Sequence, residues 1–233
     1  MRAYVLGVGR MGTTIAWAMD KLGFQVIGMD TNPDAANNMP FKVNLVDGET
    51  PRHEFFIVED AEDICRGLDA QVKPDIVISS LPYHQTEIVG KYCIDNGIRY
   101  CDLGGRVDVS QNINEYAKQH ATKPVFTDLG LAPGWVNILA EQGCKEIHGQ
   151  VDDVKMMVGG LPDYHESVKN PLRYAVTWSV DGLINEYRDD CIILKEGEIV
   201  TVRGMDGLEQ FEGETFGKME AFYTSGGASH SIH

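Results

Sequence analysis

The sequence is poor in cysteine and has no long apolar run. Its five cysteines are widely spaced and include no CxxC pair, so neither a disulfide framework nor a thiolate metal site is expected. The seven histidines show no HExxH spacing, and His230 and His233 are expected in a frayed tail, so we predict no metal site. No apolar stretch approaches the roughly 20 residues that cross a bilayer, and no export signal opens the chain. We therefore expect a cytoplasmic protein without a membrane partner.

Positive charge is also scarce. Lysine and arginine number 20 against 35 acidic residues, which gives a formal net charge of -15. A surface of this sign repels phosphate backbones and anionic headgroups, so nucleic acid is not an expected partner. The remaining composition, 43% hydrophobic and 24% charged, is that of an ordinary folded globular protein.

The first half of the chain alternates short apolar segments with segments of helical period, which is typical of a parallel sheet covered by crossover helices. Six segments are predicted strands: "AYVLGV", "QVIGMD", "FFIVED", "PDIVISSLP", "RYCDLGG" and "PVFTDLGLAPG". In the first helix, "TTIAWAMDKLG", we expect Ile15, Met19 and Leu22 on one face and Gly23 as the stop. The segment "NLVDGETPRHE" interrupts the alternation and is predicted to be a surface excursion.

The second half has a different character, because strand-like segments dominate and helical periods become scarce. Four segments are predicted strands: "VKMMVGG", "RYAVTWS", "CIILKEGEIVTVRG" and "MEAFYTSGG". "LKEGEIV" is a hairpin signal in which Gly197 supplies the positive φ of the turn. We therefore predict an α/β protein: a Rossmann-type, doubly wound parallel sheet over residues 1–140 and a smaller α+β domain with a mixed sheet over residues 141–233.

The first predicted strand runs into three glycines, Gly7, Gly9 and Gly12, in the spacing GxGxxG. This motif alone is a weak signal, but here it follows a strand and opens a helix. Gly7 permits the tight turn, Gly9 leaves room for a pyrophosphate, and Gly12 lets helix and strand approach. The helix N-terminus offers N–H groups to the phosphates. The motif predicts a dinucleotide site; the alternative is a plain strand-to-helix turn.

Asp30 ends the second predicted strand and can accept hydrogen bonds from the adenosine ribose hydroxyls. The same carboxylate repels a 2′-phosphate, and the next residues, Thr31 and Asn32, bring no cation. The predicted cofactor is therefore NAD rather than NADP. The residues expected around it are Gly7, Gly9, Arg10, Met11, Gly12, Asp30, Thr31, Ser80, Leu81 and Pro82.

Three further stretches carry a family resemblance: "DIVISSLPYHQTEIVGKYCIDNGIRYCDLGG", "TDLGLAPGWVNILA" and "GGLPDYHESVKNPLRYAVTWSVDG". In them the chain resembles the saccharopine dehydrogenase family, and most of all its L-lysine 6-dehydrogenase branch. The resemblance implies an NAD(P)-linked oxidoreductase acting on a carbon–nitrogen bond of an amino acid, and a homodimer joined through the second domain. The chain departs from the family at Ala175, where relatives commonly carry a basic residue, and it is expected to lack the family's C-terminal return segment.

Oxidation of an amine by hydride loss requires a neutral amine and hence a base near the nicotinamide, at the carboxyl ends of the strands. Asp102 ends the fifth predicted strand and Tyr83 follows the fourth, so they are our candidates for base and proton relay. Two alternatives stay open. Asp102 can equally cap the N–H groups of the loop that follows it, and Tyr83 can be a rim aromatic.

The predicted substrate-binding residues are Pro133, Gly134, Asn137, Arg173 and Trp178. The first two shape the turn under the nicotinamide; Asn137 offers an amide to cofactor or substrate, or else caps a helix. Arg173 is a candidate carboxylate clamp or an ordinary solvated side chain, and Trp178 is a candidate wall of the substrate site or a core aromatic.

Together these features predict NAD-dependent oxidative deamination of the L-lysine side-chain amine. The alternatives are a saccharopine- or carboxynorspermidine-type reductase and a shortened, non-catalytic NAD-binding relative.

Overall fold

The computed structural model describes residues 1–39, 53–213 and 216–227. Its contacts divide the chain into two compact units, Met1–Leu129 and Gly130–His233; the sequence analysis set this division at residue 140. Most of the predicted excursion at "NLVDGETPRHE", and both His230 and His233, lie outside the described residues.

The first unit contains a six-stranded, all-parallel sheet in the order β3-β2-β1-β4-β5-β6. Its strands are β1 (Arg2–Leu6), β2 (Gln25–Asp30), β3 (Glu54–Ile57), β4 (Ile76–Ser79), β5 (Arg99–Asp102) and β6 (Val125–Phe126). Its helices are α1 (Arg10–Lys21), α2 (Ala35–Asn38), α3 (Ala61–Ala70), α4 (Tyr83–Asp95) and α5 (Val107–His120). Successive strands are added outward from β1 to β3, and the chain then returns to place β4 on the other side of β1, which is the doubly wound topology that the sequence predicts.

The central strands are apolar on both faces because helices cover both sides of the sheet. Ala3, Val5 and Val26 belong to a core cluster on one face, whereas Tyr4 and Leu6 belong to the cluster on the other. Full burial of a side chain the size of Val5 or Leu6 contributes about 1.5–3 kcal/mol. Alternate residues of β1 thus hold both helical layers on the sheet.

Helix α1 begins three residues before the predicted segment, because the chain turns into the helix directly after Gly9. Its buried residues are Gly12, Ala16 and Met19. Leu22, expected on the buried face, is 69% exposed, since it lies beyond the last helical residue. The helix therefore rests on the sheet through small residues near its start, which brings its N-terminus close to β1.

The second unit is built from short elements: α6 (Trp135–Glu146), α7 (Tyr164–Ser167), α8 (Val180–Arg188), β7 (Cys191–Lys195), β8 (Glu198–Val202), β9 (Glu209–Gly213) and β10 (Gly217–Ala221). The predicted hairpin at Gly197 is confirmed as the antiparallel pair β7–β8, and β9 pairs antiparallel with β10. The predicted strands at residues 154–160 and 173–179 are not formed. No strand of the described chain pairs with either segment, and a strand needs a hydrogen-bonded neighbour.

Helix α8 was missed by the sequence analysis, although its signals are present. Ser179 caps it by accepting the N–H of Gly182 at 3.1 Å. Apolar residues then follow at positions 180, 183, 184 and 187, the spacing of one helical face.

Within the described residues, no helix of either unit is both long and apolar enough to cross a bilayer.

Candidate functional site: the carboxyl edge of the sheet

The glycine loop joins β1 to α1 at the carboxyl edge of the parallel sheet. Gly7 has φ +76° and donates its N–H to the carbonyl oxygen of Met29 at 2.8 Å. A Cβ atom at Gly7 would lie 2.8 Å from the carbonyl oxygen of Ser80. Both the backbone conformation and this neighbour therefore require glycine.

Gly9 and Gly12 differ in their surroundings. A Cβ atom at Gly12 would lie only 1.8 Å from the carbonyl oxygen of Gly7, so this glycine allows helix and loop to touch. A Cβ atom at Gly9 would meet nothing within 4 Å. Gly9 also caps the N-terminus of α1, where the N–H groups of the first turn point out of the helix. The loop thus forms a cradle that suits a pyrophosphate, with its open side at Gly9.

Asp30 ends β2 beside this cradle. Its Oδ2 accepts the N–H of Val8 at 2.6 Å, and its Oδ1 accepts the N–H of Asn32 at 2.8 Å. The carboxylate is only partly buried, and the two residues that follow it, Thr31 and Asn32, are exposed. Asp30 therefore supports the glycine loop and keeps acceptor capacity for a further donor, since an ionised carboxylate has about four acceptor positions.

The residues that follow β4 complete this side of the site. Ser80 donates its N–H to the carbonyl oxygen of Leu6 at 2.7 Å. The Leu81 side chain would lie 3.5 Å from a Cβ atom at Gly7, and Pro82 precedes the first residue of α4. Arg10 and Met11 are exposed in the first turn of α1. The structure thus brings the predicted cofactor residues to one edge of the sheet.

Tyr83 is the first residue of α4 and is half-buried at the same edge. The guanidinium carbon of Arg106 lies 5.4 Å from the centre of its ring. Gly105 passes close to it, because a Cβ atom there would lie 3.2 Å from the Tyr83 Cβ. The phenol therefore stands beside the loop that follows β5.

Asp102, the last residue of β5, is 2% exposed. Its Oδ1 accepts the N–H of Gly104 at 2.8 Å and that of Asp128 at 3.1 Å. Burial raises the pKa of this carboxyl above its usual value, although the two N–H donors act in the opposite direction. The structure therefore shows the loop-capping contact that the sequence analysis held as the alternative to a catalytic role.

Sequence reasoning missed Asp128, which follows β6. It has φ +63°, its Oδ1 accepts the Ser110 hydroxyl at 2.6 Å, and its Oδ2 accepts the Thr127 hydroxyl at 3.1 Å. The available signal was its position in the sequence, because Asp128 comes two residues after the end of β6, whereas Asp102 ends β5. An acidic residue there reaches the same edge as the cofactor residues.

Pro133, Gly134 and Asn137 belong to the second unit. Pro133 is buried, and Gly134 immediately precedes α6. The Asn137 Oδ1 accepts the N–H of Gly134 at 2.8 Å, and its Nδ2 donates to the carbonyl oxygen of Gly227 at 3.2 Å. The amide thus makes the helix-capping contact that the sequence analysis gave as an alternative to substrate binding.

Arg173 and Trp178 lie in an exposed segment of the second unit. Arg173 donates its backbone N–H to the carbonyl oxygen of Asn170 at 2.8 Å. The Trp178 indole donates to the Tyr174 hydroxyl at 3.1 Å, and its ring covers Gly182, where a Cβ atom would lie 2.5 Å from it. Trp178 therefore packs on the start of α8.

The fold and the glycine cradle define a Rossmann-type α/β protein. Comparison with known families is more specific. The family described as "Saccharopine dehydrogenase NADP binding domain" matches residues 3–128, and that described as "Saccharopine dehydrogenase C-terminal domain" matches residues 130–232. The chain belongs to the saccharopine dehydrogenase family.

Individual relatives are longer than this chain. It is 31% identical over 133 residues to the mitochondrial alpha-aminoadipic semialdehyde synthase of Rattus norvegicus, a match over 56% of this chain and 14% of that protein. It is 31% identical over 141 residues to a saccharopine dehydrogenase (NADP+, L-glutamate-forming) of Pyricularia oryzae, over 59% of this chain and 31% of that protein. The chain therefore matches less than a third of the length of either relative.

A solved structure shows the same fold. The apo saccharopine dehydrogenase (L-Glu forming) from Saccharomyces cerevisiae superposes with a TM-score of 0.63 at 21% identity, over 90% of this chain and 46% of that one. At this identity the likeness concerns the fold.

Proposed function

We propose that this chain is an NAD-dependent oxidoreductase that acts on a carbon–nitrogen bond of an amino acid, and that its substrate is the side-chain amine of L-lysine. The observation that carries the proposal is the cradle at Gly9, open on one side and bounded by the first turn of α1 and the Asp30 carboxylate. Membership of the saccharopine dehydrogenase family supports the reaction class.

The preference for NAD rests on charge. Asp30 is fixed by two backbone N–H groups beside the cradle, so it cannot turn away from a bound adenosine ribose without losing both hydrogen bonds. A 2′-phosphate would bring a second anion against it, and neither Thr31 nor Asn32 supplies a cation. The curated relatives named for NADP+ favour the opposite preference, so this part of the proposal needs its own test.

Titration calorimetry with NAD and NADP on the wild type and on Asp30→Asn tests the preference. Asparagine keeps the shape and one acceptor oxygen but removes the charge. We expect the wild type to bind NAD more tightly, and Asp30→Asn to reduce the ratio of the two affinities by roughly tenfold, because the anion repulsion is removed. Tighter binding of NADP by the wild type would exclude the NAD assignment.

Bound NAD would accept the hydride from the carbon that carries the amine. The residues of this chain would hold the nucleotide at Gly9 and Asp30 and manage the proton of the amine at Tyr83. Loss of the hydride from a neutral amine leaves a protonated imine, and addition of water then releases an aldehyde and ammonium. Tyr83 suits the proton relay because its half-buried phenol stands at the carboxyl edge of the sheet with Arg106 beside it.

Formation of NADH with L-lysine is the activity assay, and saccharopine is the matched comparison. Tyr83→Phe removes only the hydroxyl, so we expect turnover to fall by about 10²–10⁴-fold while NAD affinity is unchanged. Turnover with saccharopine but not with lysine would favour the second candidate, a saccharopine-type enzyme, which the names of the curated relatives support. Binding of NAD without turnover of either substrate would favour the non-catalytic alternative.

We also propose that the protein is a homodimer joined through its second unit. In that unit α6 buries none of its residues, and Trp135 and Ile138 are each more than half exposed. Large apolar side chains that are exposed side by side favour a protein–protein interface. Sedimentation velocity of the wild type and of Ile138→Lys tests this: we expect a dimer and a monomer respectively. A monomeric wild type at micromolar concentration would exclude the proposal.

A further inference from the structure

Asp102 and Ser79 are the last residues of neighbouring parallel strands, and the ladder between β4 and β5 pairs them directly. Partners in such a ladder direct their side chains to the same side of the sheet. Both are almost fully buried, Asp102 at 2% and Ser79 at 1% exposed. A polar pair is therefore enclosed at the carboxyl edge, below the loops that carry the candidate site.

One carboxylate oxygen of Asp102 fastens two loops. Its Oδ1 accepts the N–H of Gly104, in the loop after β5, and the N–H of Asp128, in the segment after β6. The Asp102 carbonyl oxygen also accepts the N–H of Leu129 at 2.8 Å. The loop after β5 carries Gly105 and Arg106, which contact Tyr83. Asp102 thus acts on the Tyr83 environment through the backbone.

The other oxygen, Oδ2, and the Ser79 hydroxyl are buried and make no hydrogen bond with the described residues. A buried polar atom without a hydrogen bond costs about 1–3 kcal/mol, and the buried Tyr100 phenol is the side chain that interacts with both groups. The two N–H groups at Oδ1 need an acceptor. They do not need a negative charge, and the burial that raises the pKa of the carboxyl disfavours the charged form.

We propose that Asp102 is a positioning residue, which holds the loops after β5 and β6 through Oδ1, and that it is not the proton acceptor of the reaction. A neutral side chain of the same shape then performs the same task. Asparagine has this shape, and its Oδ1 can accept the N–H groups of Gly104 and Asp128. This inference rests on the proposed function only where activity is the readout.

The test compares Asp102→Asn with Asp102→Ala by amide hydrogen exchange and by kinetics. In Asp102→Asn we expect the amides of Gly104 and Asp128 to keep their protection, kcat to stay within about threefold of the wild type, and the pH profile to be unchanged. In Asp102→Ala both N–H groups lose their acceptor, so we expect their exchange to accelerate by roughly 10–100-fold and kcat to fall by at least about tenfold. Ser79→Ala is the matched control at the paired position of β4 and should leave both amides protected.

Two results would overturn the inference. A fall of about 10²-fold or more in the kcat of Asp102→Asn, with both amides still protected, would identify Asp102 as the proton acceptor. Loss of protection in Asp102→Asn would show that the loops need the charge. If Asp102→Ala does not fold, Asp102→Asn alone decides between these outcomes. If the wild type turns over no amine, the exchange data still test the positioning role, so failure of the proposed function is separable from failure of this inference.

Discussion

Two glycines of the same loop should respond differently to substitution by alanine: Gly12→Ala should lower stability, whereas Gly9→Ala should weaken nucleotide binding. In Gly12→Ala the new Cβ would lie 1.8 Å from the carbonyl oxygen of Gly7. A carbon–oxygen contact needs about 3.3 Å, so helix and loop must separate by roughly 1.5 Å. In Gly9→Ala the new atom meets nothing within 4 Å. One substitution strains the fold, and the other only fills the cradle.

The loss of stability in Gly12→Ala depends on which atoms must move to make room for the new Cβ. Overpacking against a mobile side chain costs about 1–3 kcal/mol, but here the obstacle is backbone, and the hydrogen bond from Gly7 to Met29 adds about 1 kcal/mol when it is strained. We expect a loss of about 3 kcal/mol in the free energy of unfolding, which lowers Tm by roughly 6–12 °C for a chain of this length. Alanine is a poorer N-cap than glycine, so Gly9→Ala should lose only about 0.5 kcal/mol.

Calorimetric scans with and without NAD measure both effects. The wild type should gain Tm with NAD, because a ligand that binds only the folded state stabilises it. Gly12→Ala should melt well below the wild type. Gly9→Ala should melt close to the wild type and gain nothing from NAD. An equal NAD-dependent rise in Gly9→Ala would show that the pyrophosphate does not lie at Gly9, and wild-type stability of Gly12→Ala would refute the contact between helix and loop.

Three further predictions concern stability. His53→Ala removes the buried acceptor of the Val26 N–H, at 3.1 Å, and should cost about 1–3 kcal/mol in urea unfolding; His53→Gln, which can offer an oxygen, should recover part of it, and no loss in His53→Ala would contradict the contact. Asp60→Ala removes the cap of α3, which accepts the Asp63 N–H at 2.8 Å, and should cost about 0.5–2 kcal/mol, whereas Asp60→Ser should cost little. Burial raises the pKa of the Asp102 carboxyl in the folded protein above its ordinary value of 3.8. The stability that this carboxyl contributes is therefore fully present below pH 3.8 and is lost as the pH rises through the folded-state pKa. The free energy of unfolding of the wild type minus that of Asp102→Asn should fall over this window, and a rise would contradict the burial effect.

The parallel sheet could be predicted because each of its signals is local. Continuous apolar segments such as "PDIVISSLP" fit strands that are buried on both faces, and the glycines at positions 7, 9 and 12 mark the turn into the first helix. Asp30 was found because its distance from the glycine loop along the chain is characteristic. Helix boundaries were less accurate: α1 begins at Arg10, three residues before its predicted segment.

What the sequence did not predict depends on contacts between distant parts of the chain. Ser79 and Asp102 meet only through the register of β4 with β5, and Asp128 matters because it reaches Asp102 from the next strand. The failed strands at residues 154–160 and 173–179 are the reverse case. Their composition fits a strand, but a strand also needs a hydrogen-bonded neighbour, which a local pattern does not report.

Asp30 and Asp102 show how the same residue at equivalent places acquires different roles. Each ends a strand of one parallel sheet, and each accepts two backbone N–H groups. Asp30 divides them between its two oxygens and remains partly exposed, so acceptor positions stay open toward a ligand. Asp102 takes both on one oxygen and is enclosed, so the charged form is disfavoured. A neutral amide should therefore replace Asp102 at little cost and should alter nucleotide selectivity when it replaces Asp30.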